Sequence, residues 1–80
     1  MHITKVNMAL TKIVSEVAGT VWKIEVPVSS TVAADAVLLI IESMKMEIPV
    51  STEKAGRVVE YRVAEGDPVE EGQVVAVVES

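Results

Sequence analysis

The chain contains no cysteine and no phenylalanine, and only one tryptophan, one tyrosine and one histidine among its 80 residues. Without cysteine there are neither disulfides nor thiol nucleophiles, and cysteine-based zinc sites are excluded. The sole histidine, His2, stands beside the first methionine, outside any motif for metal binding or nucleophilic catalysis, so a frayed terminus is its expected setting. No apolar run approaches the roughly 18 residues needed to cross a bilayer, and the N-terminus lacks the charged, apolar and small-residue regions of a secretory signal. A soluble, cytoplasmic protein is expected, with no membrane partner. Basic residues are scarce too: seven Lys and Arg against twelve Asp and Glu give a net charge of −5. That balance disfavours nucleic acid and anionic membrane surfaces.

What remains is aliphatic. Half the residues are apolar, so the core must be built from Val, Ile, Leu, Met and Ala, a composition that favours strands. Eighty residues make one small domain whose core is barely large enough for independent stability.

An internal repeat organises most of it. Ala18-Gly19 laid over Ala55-Gly56 aligns residues 18–43 with 55–80 at an offset of 37, without a gap. Val21 falls on Val58, Val26 on Val63, Val32 on Val69, Val37 on Val74, and Glu42-Ser43 on Glu79-Ser80. Two copies of one unit is the simple reading. In each copy an alternating strand comes first, with Trp22, Ile24 and Val26 expected on one face and Val21, Lys23 and Glu25 on the other. A continuous apolar run, Val37 to Ile41 or Val74 to Val78, then reads as a more deeply buried strand. Between them the second copy has glycine turns at Gly66 and Gly72, where the first has Ser29 and Asp35. Glycine adopts positive φ without steric cost, so the Ser29 turn is expected to be strained, while Asp35 tolerates the left-handed region better.

Neither copy can bury an apolar face alone, so a flattened barrel or sandwich of two antiparallel sheets around a shared core is expected. Met46, Ile48 and Val50 alternate with Glu47, Pro49 and Ser51 directly after Lys45, which makes Ser43 to Met46 the tip of a β-hairpin. That tip has neither Gly nor Asn, although a two-residue turn favours them. The residues alone leave two readings open: an ordinary exposed lysine in a surface turn, or a side chain presented where local preference is violated for function.

The stretch Glu42-Ser43-Met44-Lys45-Met46 closely resembles the Ala/Ser-Met-Lys-Met signature of biotinyl domains. The resemblance extends over Ile13 to Ser80 and includes Ala18-Gly19-Thr20-Val21, Glu65-Gly66-Asp67-Pro68-Val69 and Glu71-Gly72-Gln73. It implies a biotinyl/lipoyl attachment domain, all-β, with two four-stranded antiparallel sheets related by a pseudo-twofold axis. Carried over, it makes Lys45 the covalent biotin acceptor and Met44 and Met46 the residues a ligase reads, with Glu42, Ser43 and Glu47 beside them. The implied role is a small biotin carboxyl carrier, non-catalytic, acting as a monomer. Biotin protein ligase would load it, and it would serve the biotin carboxylase and carboxyltransferase of an acyl-CoA or related carboxylase, as in acetyl-CoA carboxylase and fatty acid biosynthesis.

Some biotinyl domains carry a protruding thumb in the first half. The gapless repeat leaves no room for one here, so the carried ring would have no dedicated protein contact. Lipoate is the alternative cofactor, but lipoyl lysines usually follow an aspartate, whereas Met44 precedes Lys45. An unmodified interaction module, as in membrane-fusion adaptors, is the alternative without a cofactor; such modules normally carry a long insertion. Residues 1–12 have no counterpart in the family and read as a flexible leader or an extra edge strand, with the domain proper at 13–80. No motif supports an independent enzyme.

Overall fold

In the computed structural model, which describes residues 9–80, eight strands follow one another: β1 (Leu10–Val14), β2 (Gly19–Ile24), β3 (Thr31–Val32), β4 (Val37–Ser43), β5 (Met46–Ser51), β6 (Gly56–Tyr61), β7 (Pro68–Val69) and β8 (Val74–Glu79). They form two four-stranded sheets, β1-β8-β6-β3 and β5-β4-β2-β7, antiparallel throughout. Adding four to each strand number, cyclically, turns one order into the other, so the sequence repeat is a pseudo-twofold axis of the fold. The expected all-β architecture is present, and no thumb interrupts either half among the described residues.

The core obeys the same symmetry. All but one of its buried members come in matched positions: Ile13 with Val50, Val21 with Val58, Val32 with Val69, Leu38 with Val75, Leu39 with Ala76 and Ile41 with Val78, while the counterpart of Val63, Val26, is only partly buried. Each buried aliphatic contributes roughly 1.5–3 kcal/mol. With few aromatics available, the sandwich is held by many such modest contributions.

The repeat also reaches further back than residue 18. Leu10–Val14 occupies in one sheet the place of Glu47–Ser51 in the other. Ser15 Oγ donates to the Val17 carbonyl (2.6 Å) as Thr52 Oγ1 does to that of Lys54 (2.8 Å). Leu10 to Lys12 therefore belong to an edge strand paired with β8. Residues 1–8 of the expected N-terminal extension lie outside the described residues.

One expectation needs correcting. Val21 is buried and Trp22 is half-exposed, the reverse of the predicted faces. The cause is a bulge: Val21 pairs with Ile41 but Lys23 with Ile40, so Trp22 is an extra residue and the inward set shifts by one. Val59 is the extra residue at the equivalent bulge in β6.

The pairings also set the poles of the molecule. β7 pairs with Gly19 and Thr20, and Thr20 pairs with Glu42, so β7 and the start of β8 lie at the end where β4 turns into β5. β8 then runs to Glu79, which pairs with Leu10 and Arg57 beside β3 at the opposite end. There the Ala9 and Ser80 backbones bond each other in both directions (3.0 and 3.3 Å). Under the twofold this pair corresponds to Met46 and Ser43, the flanks of the hairpin.

Candidate functional site

Strands β4 and β5 pair down to Ser43 opposite Met46, leaving Met44 and Lys45 alone at the tip. Both have positive φ, 52° and 65°, the left-handed pair that a type I′ two-residue turn requires. Each non-glycine residue held there costs about 1–2 kcal/mol. The tip therefore carries real strain, and the two well-packed strands below it hold the turn in place.

What the strain achieves is display. Met44 is 93 % exposed and Met46 63 %, and Lys45 is exposed between them. Lys45 forms no ion pair among the described residues. Glu42 and Glu47, also exposed, face each other across the hairpin; like charges directly opposite are mildly destabilising in a sheet. Ser43 is half-buried at the base of the turn. The structure thus gathers all six residues predicted for the site, Glu42 to Glu47, on a single protruding hairpin.

Sequence reasoning overlooked how the base of that hairpin is positioned. Gly19 lies so close to β4 that a Cβ there would overlap the Glu42 carbonyl oxygen and reach 2.8 Å from Ile41 Cγ2. Gly56 stands in the same relation to Glu79. The sequence signal for it is the matched Ala-Gly of the two copies, Ala18-Gly19 and Ala55-Gly56.

The other left-handed positions fall where the repeat indicated. Ser29 (φ 76°) and Asp35 (68°) occupy the conformations that Gly66 (93°) and Gly72 (85°) occupy in the second copy. At the end of β6, the partly buried Tyr61 hydroxyl donates to the Val26 carbonyl (2.7 Å) and lies 3.3 Å from that of Leu38, tying β6 to the other sheet. Burial pushes its pKa up to about 12.

These residues offer no acid–base pair, and among the described residues no group of His, Asp and Glu is placed to hold a metal. What the tip presents is an exposed primary amine with no ion-pair partner among the described residues. A family profile described as "Biotin-requiring enzyme" matches residues 9–78. The chain belongs to this biotin/lipoyl family. Like the other members, the attachment domain is a carrier rather than a catalyst. It is 40% identical over 60 residues to the Biotin/lipoyl attachment protein of Bacillus subtilis, spanning 75% of this chain and 82% of that one. It is 36% identical over 64 residues to the Biotinylated protein TB7.3 homolog of Mycobacterium leprae, 80% of this chain and 90% of that one. Among solved structures it superposes on the urea carboxylase of Kluyveromyces lactis with a TM-score of 0.84 and 33% identity. That match covers 98% of the attachment domain but 7% of the carboxylase chain.

The displayed lysine fits a covalently bound biotin. The amine stands clear of the sheets, the turn beneath it is held by packing, and two thioethers flank it as soft apolar contacts.

Proposed function

We propose that Lys45 is the covalent biotin attachment site and that the domain carries carboxyl groups between the active sites of a biotin-dependent carboxylase. The observation that carries this reading is the hairpin tip, where Met44 and Lys45 are both held at positive φ and Lys45 has no ion-pair partner among the described residues.

Forming an amide on this amine needs an activated acyl donor, which a biotin protein ligase would supply. The ligase takes the proton, the ε-nitrogen attacks an activated biotinyl carbonyl, an amide forms and the activating group leaves. Met44 and Met46 offer the ligase apolar contact, while Ser43, Glu42 and Glu47 fix the hairpin's orientation and its charge. Acylation removes the lysine charge, making the domain one unit more negative than −5.

Bound biotin supplies a ureido nitrogen that can hold and release a carboxyl group. The domain supplies position: a single covalent tether keeps the group at high effective concentration near both the biotin carboxylase and the carboxyltransferase. The acceptor is chosen by the transferase, and a monomer suffices.

Mass spectrometry of protein produced with both biotin and lipoyl ligases tests this. Biotin is expected on Lys45, with no adduct in Lys45→Arg. A lipoyl adduct, or a biotin adduct elsewhere, refutes the assignment.

A further inference from the structure

The twofold axis allows the two halves to be compared position by position, and a residue the fold does not need stands out against its counterpart. Trp22 is such a residue. It occupies the bulge of β2, while the equivalent bulge of β6 is filled by Val59. A valine therefore satisfies the fold at this place. Yet the sheet that bears the hairpin holds the only tryptophan of the chain, and leaves it 48 % exposed.

Its surroundings extend the apolar surface. Ile40 lies between the buried Leu39 and Ile41 and is itself partly exposed, so it faces outward. It pairs with Lys23 on one side and with the exposed Pro49 on the other. Ile40 and Pro49 thus form an apolar row across β4 and β5, on the outer face of the sheet whose β4 leads to Lys45, and the half-exposed Trp22 stands beyond it in the β2 bulge, next to Lys23, the partner of Ile40. Bulges commonly re-aim one side chain out of the regular alternation, and here the re-aimed side chain is an indole.

The row lies within reach of the hairpin. Trp22 is level with Ile40 and Ile41, two to three residues short of Ser43 and one strand across. At about 3.3 Å per residue and about 4.8 Å between strands, that puts it roughly 13 Å from the tip. A lysine carrying a biotinyl chain has about ten bonds between its Cα and the ring, on the order of 12 Å when extended.

We propose that Trp22 is a resting platform for the ring carried on Lys45. The inference builds on the reading of Lys45 as the biotin site. It replaces the expectation, drawn from the missing thumb, that the ring has no protein contact. The indole face offers an apolar surface to a saturated, sulfur-containing bicycle, and its half-exposed setting lets the ring leave when a partner's active site competes. Trp22 takes no part in the transfer itself.

The test uses the whole chain before and after biotinylation, with the adduct verified by mass. Because Trp22 is the only tryptophan, its fluorescence reports on this contact alone. Biotinylation is expected to shift Trp22 emission by a few nanometres and to give nuclear Overhauser contacts between ring and indole protons. In Trp22→Val, which copies the residue of the other half, the Lys45 adduct should still form and the ring should tumble measurably faster. Unmodified Lys45→Gln, which removes the charge without adding an arm, should leave the emission unchanged.

An adduct accompanied by unchanged emission, no ring–indole contacts and equal ring mobility in wild type and Trp22→Val overturns the platform and leaves the attachment site standing. An emission shift reproduced by Lys45→Gln also overturns it. Absence of any adduct on Lys45 overturns both readings.

Discussion

Alanine at Gly19 and at Gly56 is the same steric event at opposite poles of the molecule. At Gly19 the new methyl overlaps the Glu42 carbonyl oxygen and comes within 2.8 Å of Ile41 Cγ2; at Gly56 it overlaps the Glu79 carbonyl and comes within 2.9 Å of Val78 Cγ1. Neither carbonyl can swing aside, because Glu42 is paired to Thr20 and Glu47, and Glu79 to Leu10 and Arg57. The strand must retreat as a unit, at a cost of about 1–3 kcal/mol for overpacking of this kind. In a domain of this size each kcal/mol lowers Tm by roughly 4–8 °C, so both variants should melt measurably lower by circular dichroism. Their biotinylation should diverge. Gly19→Ala displaces the strand three residues before Lys45 and is expected to slow modification by the ligase several-fold. Gly56→Ala disturbs the far pole and should leave the rate within about twofold of wild type, measured where both variants are folded. Wild-type melting in both, or equal slowing in both, would refute the reasoning.

Two further outcomes follow from the same geometry. Ser29→Gly relieves a left-handed serine at φ 76°, a gain of about 1–2 kcal/mol set against the roughly 0.5–1 kcal/mol of backbone entropy that glycine loses. A rise in Tm of a few degrees is expected, and a clear fall would count against the turn assignment. Tyr61 holds its proton more tightly folded, up to about 12, than its ordinary 10. Its contribution to stability is therefore fully present below pH 10 and is lost as the pH rises from 10 to 12. Denaturant melts across that window should show a steeper loss in wild type than in Tyr61→Phe, and tyrosinate absorbance should titrate late in the native protein. Parallel slopes would remove the assignment.

Much of this architecture can be read from the chain because the repeat makes each half a template for the other. The left-handed Ser29 and Asp35 are identified by the glycines they replace, and the hairpin by a strand pattern that resumes directly after Lys45. The faces of β2 escape such reading: a bulge inserts one residue, and counting by twos assigns Val21 to the wrong side once Trp22 is included. Strand β1 escapes for a different reason. It shares almost no side chains with β5, since both are edge strands with much of their length exposed. The kinship survives in the flanking Ser15 and Thr52, whose hydroxyls make the same local bond. Trp22 gains meaning only when its counterpart Val59 is known to occupy the same bulge.

The meeting of Ala9 and Ser80 has a mechanical consequence. Ala9 and Ser80 lie at the pole that Lys45 does not use, so the rigid body sets its own length between them and the lysine. The seven residues of β4 alone span about 23 Å, a stiff spacer between Ala9 and Ser80 at one pole and Lys45 at the other. In a large carboxylase, where a domain of this type makes up 7% of the chain, the protein body would itself lengthen the stroke. Moving the chain ends beside the hairpin would keep every strand pairing and forfeit that length.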